Sequence, residues 1–256
     1  MEKSNFTRQF EDFGIKMYVL AILSIISIFT GSFIQLVMFI IMLLSLKDIK
    51  DANRELGNEN LEKFRKYIIY AVVVGIVGAL IILIVAAIVA FLFISALPGF
   101  TFSHPITVSE FQDVAPLINI LLIILLAGGL PVGVVALGLL MIAWEEFHIF
   151  LERNSGLFPN TVAEKAMEGS GKIKRSYLYL IITLIIGAVL VLVAIIIFPQ
   201  IKTLIINFIE ETTPSMESIA IIPIFAIPGI VIAVLGIISF ILMIIGYFKL
   251  AELKHL

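Results

Sequence analysis

The chain has 256 residues, 61% of them hydrophobic and 14% charged, with a formal net charge of −2. A soluble domain carries roughly 25% charged residues, and one of this size has too much exterior to keep so much apolar surface from water, so lipid is expected to be part of its solvent. The acidic balance excludes the basic footprint of a nucleic-acid binder, and the absence of cysteine excludes disulfides, thiol catalysis and thiolate metal sites.

The amino-terminal stretch Met1–Phe13 carries Glu2, Lys3, Arg8, Glu11 and Asp12, and no small-residue cleavage site follows it, so it does not read as a signal peptide. Phe6, Phe10 and Phe13 share one helical face, which predicts a short helix lying in the membrane interface. Asn5-Phe6-Thr7 is a glycosylation sequon, meaningful only on an accessible outer terminus.

Five stretches contain no Asp, Glu, Lys, Arg or His: Met17–Leu46, Tyr67–Ser103, Val114–Trp144, Ser176–Ile201 and Ser218–Phe248. Each exceeds the ~20 apolar residues that cross a hydrocarbon core of roughly 30 Å. They predict crossings at about 17–46, 68–97, 116–144, 177–198 and 219–248. The first, third and fifth are longer than a crossing needs, and each has a helix-weakening cluster near its middle. These are Thr30-Gly31-Ser32, Gly128-Gly129-Leu130-Pro131 and Pro228-Gly229. Helix breaks are therefore expected at Gly31, Pro131 and Pro228, the prolines because each removes a backbone donor and clashes with the preceding turn. An alternative for 17–46 is a hairpin that turns back at Thr30-Gly31-Ser32. The alternation of broken and plain segments also fits a parallel repeat of a two-helix unit with a final half-unit.

Broken membrane helices can line a binding site where polar side chains converge on the break. Here Ser32 and Gln35 flank the first, Asn119 lies above the third and only Ser239 serves the fifth. Gln35 and Asn119 are therefore the candidate intramembrane polar site. Small residues recur every four positions at Ala71, Gly75 and Ala79, at Gly129 and Gly133, and at Gly229 and Ala233; with Gly78, Ala86 and Ala90, they are expected to let helices approach closely.

Orientation follows from the basic residues. Lys47–Lys66 holds six Lys/Arg and Glu145–Arg175 holds five, against none in Pro98–Ala115 and Lys202 alone in Pro199–Glu217. By the positive-inside rule the first two loops and the tail with Lys249 and Lys254 are cytoplasmic. With five crossings the amino terminus then lies outside, at odds with its Lys3, Arg8 and Lys16. Tyr67, Tyr70, Trp144, Tyr177, Tyr179 and Tyr247 gather at the basic ends, as a headgroup belt would. The loop 48–66 should break near Gly57-Asn58, and Thr161-Val162-Ala163-Glu164 should cap a short helix after Pro159. Ile201, Leu204, Ile205, Phe208 and Ile209 form one face of a helix expected to lie flat on the outer leaflet.

Motifs for chemistry are sparse. Gly169-Ser170-Gly171-Lys172 lacks the first glycine, the terminal Ser/Thr and the strand of a P-loop. Glu145-Glu146-Phe147-His148 and Glu252-Leu253-Lys254-His255 have Glu-x-x-His spacing, but no intramembrane carboxylate exists to complete a di-iron site. No acid, base or histidine lies at membrane depth to relay protons. No catalytic residue, cofactor or metal is expected.

Leu43-Leu44-Ser45-Leu46-Lys47-Asp48-Ile49, then Leu61-Glu62-Lys63-Phe64-Arg65-Lys66-Tyr67 opening an apolar helix, and the ending Gly246-Tyr247-Phe248-Lys249 resemble archaeal multi-pass membrane families of unknown function. The resemblance implies an archaeal source and carries no functional residues over. The absence of cysteine and the abundant isoleucine are compatible with a thermophile. The expectation is an all-α integral membrane protein, a bundle of about five transmembrane helices in the plasma membrane, the odd-numbered ones kinked or broken. It would be a non-enzymatic scaffold, complex subunit or lipid-interacting protein, with a channel or facilitative transporter as the alternative. Its expected partners are membrane lipids, and a second copy or another protein through the small-residue faces.

Overall fold

The computed structural model of the protein describes residues 5–30, 32–96, 107–210 and 221–256. Every regular element among them is helical: α1 (Asn5–Thr30), α2 (Ser32–Leu56), α3 (Glu59–Ala96), α4 (Val108–Ile124), a π-helical turn (Leu125–Gly129), α5 (Leu130–Arg153), a 3-10 turn (Ser155–Leu157), α6 (Asn160–Ile196), α7 (Phe198–Ile209), α8 (Ile221–Leu250) and a 3-10 turn (Ala251–His255). Five helical runs are long and apolar enough to cross a membrane: Asn5–Thr30, Glu59–Ser95, Val108–Arg153, Asn160–Ile196 and Pro223–His255.

Local chemistry sets the boundaries. α2 ends at Gly57, whose φ of 57° is the left-handed conformation that spares a side chain, and Asn58 Oδ1 then accepts the N–H of Asn60 at 2.9 Å to start α3. The expected break near Gly57-Asn58 is therefore present. α4 opens on a capping box, with Glu110 N–H donating to the Thr107 hydroxyl and Thr107 N–H to Glu110 Oε2. The box expected at Thr161–Glu164 is not used. α6 starts directly after Pro159, whose carbonyl accepts from Val162 and Ala163, and runs for 37 residues without a separate short helix. A proline that cannot continue a helix backwards is a sufficient start signal.

The stretch 17–46, expected to cross once, is instead divided between α1 and α2, which run antiparallel. Phe6 N–H donates to Glu55 Oε2 at 3.1 Å, and Lys16 Nζ meets Asp48 Oδ2 at 2.5 Å. The alternative of a turn-back at Thr30-Gly31-Ser32 is the observed arrangement, although Gly31 itself lies outside the described residues. The physical reason is the buried stripe Phe10, Phe13, Met17, Leu20, Ala21 and Ser24 on α1, which needs a partner that a single straight rod would not supply.

The chain forms two compact units. The first is Met1–Val72 with Ala136–Ile181 and Leu235–Leu256, and the second is Val73–Val135 with Ile182–Val234. The first unit holds an aromatic core. The Phe147 ring centroid lies 4.8 Å from that of Phe64, 5.4 Å from Phe13 and 6.0 Å from Trp144, while Phe10 stacks on Phe150 at 5.6 Å and meets Phe158 edge-on at 5.2 Å. Phe10 and Phe13 are fully buried, so α1 does not begin as the surface helix expected of its phenylalanine face. Its rings found partners in Phe147, Phe150 and Phe158. The expected headgroup belt is corrected in the same way: Trp144, Tyr177 and Tyr247 are buried, and only Tyr70 among the belt residues is exposed.

Glycines bring helices together in this unit at positions the small-residue stripes did not mark. A Cβ on Gly169 would sit 2.7 Å from the Gly246 carbonyl oxygen, and one on Gly246 would sit 2.9 Å from the Gly169 carbonyl oxygen, so α6 and α8 touch backbone to backbone. A Cβ on Gly14 would run into the backbone of Leu253 and Lys254.

The second unit has a smaller core of Phe111, Val114 and Ala115, covered by Phe93, Ile118 and, from α7, Ile205, Ile206 and Ile209. α7 therefore packs on α4 with part of its apolar face, while Phe208 is 80% exposed. Gly78 meets Val132 and Gly133 meets Leu184, so these two small positions are used for close approach, whereas nothing lies near Gly75 or Gly229.

Candidate functional site

Four of the five residues singled out from the sequence are described, Gln35 in the first unit and Asn119, Pro131 and Pro228 in the second. Gln35 is exposed on α2 in the first unit, and its amide has no side-chain partner among the described residues. Asn119 is half-buried on α4 in the second unit, with its Oδ1 sealed from solvent and without a donor. Ser239, the polar residue of the last apolar stretch, is fully buried. Its hydroxyl lies 2.9 Å from that of Ser176 and donates to the Ser176 carbonyl at 3.0 Å, so it bolts α8 to α6.

Just before Pro131 the helical run widens into a π-helical turn and continues. The Leu130 N–H donates to Leu125, five residues back, across Gly128-Gly129. A widened turn accommodates the proline ring, which would otherwise clash with the carbonyl four residues earlier. Pro228 differs from expectation: α8 stays α-helical through it. The lost donor leaves the Ile224 carbonyl without its usual partner but does not divide the helix.

The π-turn lines a groove of about 470 Å³ in the second unit, with Leu126, Gly129 and Leu130 on one side and Leu184, Gly187 and Val191 on the other. Apart from the hydroxyl of Thr183, its side chains are hydrocarbon. Such a wall offers an acyl chain good contact and gives an ion or polar solute nothing to replace its hydration.

The first unit carries the polar contacts. His148 Nδ1 lies 3.0 Å from both the Met167 carbonyl oxygen and the Ser170 hydroxyl, a pairing that anchors α5 to α6. Lys174 Nζ reaches Glu145 Oε2 at 2.6 Å in an ion pair not aligned as a hydrogen bond. Asn60 donates to Glu146 at 2.6 Å. Glu145, the Glu-x-x-His glutamate of His148, and its neighbour Glu146 are thus both engaged with protein groups. Asp48 is nearly buried at the base of the α1–α2 hairpin. Burial pushes its carboxyl above the ordinary range, against the Lys16 ammonium that pulls it down.

The hairpin was the second reading of the stretch 17–46 rather than the first. Between Lys16 and Lys47 its arms hold no charge, and the tip presents Phe29 and Phe33, 83% and 75% exposed. The signal was present in the sequence as the basic residues Lys3, Arg8 and Lys16 on a terminus that a single crossing would have put outside. A scan of the sequence against protein-family models found no match, and searches of curated proteins and of solved structures found none either. Among the described residues the architecture is helical throughout and built around long apolar helices, with one hairpin that ends in exposed phenylalanines.

Proposed function

We propose that this is a non-enzymatic, multi-pass protein of the plasma membrane that acts through lipid contact as a scaffold or complex subunit. In this reading the α1–α2 hairpin enters the cytoplasmic leaflet and returns, and the four other long apolar runs cross. The observation that carries it is the hairpin's reach. The fourteen residues Met17–Thr30 and the fifteen residues Ser32–Leu46 would each extend about 21–23 Å, short of a hydrocarbon core of roughly 30 Å. Both arms end in charge at the same level, so the hairpin is a wedge anchored on one side. On this reading Arg8 and Lys16 share a side with the six basic residues of 47–66, in keeping with the positive-inside rule. Four crossings then bring the carboxyl terminus to that same side, and the amino terminus is cytoplasmic rather than outside.

The hydrocarbon lining of the groove at the π-turn supports lipid contact over passage of a polar solute. An archaeal, thermophilic source belongs to the same reading through the quoted motifs and the cysteine-free composition. The test is to reconstitute the full chain in vesicles and to follow both retained lipid and leakage of trapped ions and sugars. Lipid surviving detergent extraction, with leakage equal to that of empty vesicles, is expected. Saturable flux abolished by Gly187→Leu, which fills the groove, would overturn the proposal.

A further inference from the structure

The exposed face of α2 follows a heptad-like ladder: Phe33, Leu36, Ile40, Leu43, Lys47, Lys50 and Arg54 alternate in steps of three and four, and all seven are exposed. The upper four are hydrocarbon and the lower three cationic. From Phe33 to Leu43 the rise is about 15 Å, half of a roughly 30 Å hydrocarbon core and hence one leaflet. The cations begin one turn further along, where phosphate groups lie.

Of the acids around this ladder, only Asp51 meets one of its cations. Asp48 faces Lys16, Glu55 accepts the Phe6 N–H, and Asp51 holds Arg54 at 3.0 Å on a surface where such a pair is weak. The remaining lysines of this unit are occupied too. Lys63, Lys165, Lys172, Lys174 and Lys249 each meet a glutamate, and Lys66 and Lys254 lie over tyrosine rings. Among the described lysines of the unit, Lys47 and Lys50 alone have neither a carboxylate nor a ring.

We infer that this face binds one anionic phospholipid of the leaflet the hairpin enters, its acyl chains along Phe33, Leu36, Ile40 and Leu43 and its phosphate against Lys47, Lys50 and Arg54. The inference rests on the lipid-contact reading above and adds the headgroup class and the site. An acidic protein partner would satisfy the three cations but would gain nothing from the hydrocarbon continuation of the same ladder. A phospholipid matches both halves in order. Each cation near a negatively charged membrane surface favours the anionic lipid by roughly fivefold, and with Asp51 offsetting Arg54 the two lysines together give about 25-fold.

The full-length protein is reconstituted in equimolar phosphatidylglycerol and phosphatidylcholine vesicles and released into detergent, and the retained lipid is counted by native mass spectrometry. The wild type should keep phosphatidylglycerol over phosphatidylcholine by about 25-fold. Combined Lys47→Gln, Lys50→Gln and Arg54→Gln should bring the ratio towards one at an unchanged melting temperature, since all three side chains are exposed. Lys47→Gln alone should lower it part of the way, which covers failure of the triple variant to fold. Arg65→Gln with Arg175→Gln should leave it intact, and glycerol phosphate should not displace the bound lipid. An undiminished preference in the triple variant, displacement by glycerol phosphate, or loss only with Arg65 and Arg175 would overturn the inference. Wild type that retains both lipids without preference sinks this inference alone. Wild type that retains neither sinks the lipid-contact reading itself.

Discussion

Replacing Phe147 with Ala should cost more stability than almost any change along the apolar stretches. Phe147 is fully buried and has four aromatic neighbours, with ring centroids 4.8 Å away at Phe64, 5.4 Å at Phe13, 6.0 Å at Trp144 and 6.1 Å at Phe150. Truncating a core phenylalanine typically costs about 3–5 kcal/mol, and the ring pairs, at about 0.5–1.5 kcal/mol each beyond their area, push this site to the upper end. For a domain of this size that lowers the melting temperature by about 10 °C or more. Phe29→Ala is the matched control, the same chemistry at an 83% exposed position on the hairpin tip, and should stay within about 0.5 kcal/mol. Thermal unfolding in detergent, followed by circular dichroism and by the fluorescence of Trp144, the only tryptophan, measures both. Equal losses, or a larger one at Phe29, would refute the claim that the stabilising core is this aromatic cluster.

Three further outcomes follow from the first unit. Gly169→Ala should destabilise by about 1–3 kcal/mol, because its Cβ meets α8 backbone that cannot step aside, whereas Gly75→Ala, with nothing near it, should be neutral or slightly stabilising in the same melts. Asp48→Asn should be more stable than wild type near neutral pH. Burial raises the folded-state carboxyl above its unfolded value, so the stability linked to its protonation is full below the ordinary carboxylate range and is lost as pH rises through the raised pKa. The gap should therefore close as pH falls, and an Asn variant that is less stable at neutral pH would show that the Lys16 pair outweighs burial. Single cysteines at Asn5 and Asn58 should both be shielded from an impermeant thiol reagent in intact cells, and labelling at Asn5 with protection at Asn58 would eliminate the returning hairpin.

Helicity and the long apolar runs were legible in the sequence because a charge-free stretch of such length has few other uses. A departure from regular α-helix near Pro131 was legible because a missing donor and a ring clash are local facts. What local pattern could not decide was partnership. The stretch 17–46 suits a single rod and a hairpin equally, since both present hydrocarbon to hydrocarbon, and the choice turns on which residues cover the α1 stripe. Phe6, Phe10 and Phe13 have the spacing of an interfacial helix and of a core helix alike, and the deciding rings at Phe147, Phe150 and Phe158 lie far along the chain. Gln35 and Asn119 stood out only as amides in apolar surroundings. Composition shows that such groups need an explanation but does not say that they meet, and they fall in different units. Of the glycines that press on the backbone of another element, Gly14 and Gly169 lie outside the apolar runs where small-residue stripes were sought, and Gly246 lies at the charged end of the last one.

Their position follows from the solvent on each side. Apolar side chains gain by burial only where water is the alternative, and between helices in lipid that drive is absent, leaving packing and hydrogen bonds. The first unit contains the charged segments of the chain, and there the rings of Phe10, Phe13, Phe64, Trp144, Phe147 and Phe150 are covered completely. In the second, Val73, Leu83, Ile88, Phe91 and Ile94 of α3 stay more than half exposed, and the described charges are only Glu110, Asp113, Lys202 and Glu210. On the proposed arrangement that exposure costs little, because hydrocarbon meets hydrocarbon. The same reasoning separates the two ends of the α1–α2 hairpin. Its base must be specific, with Phe10 and Phe13 locked among rings and Asp48 held by Lys16, because water competes for every group there. Its tip needs only to be apolar. Substitutions among Ile28, Phe29 and Phe33 that keep a hydrocarbon surface should therefore be tolerated, whereas a charge at Phe29 would have to leave the leaflet, and would carry the hairpin with it.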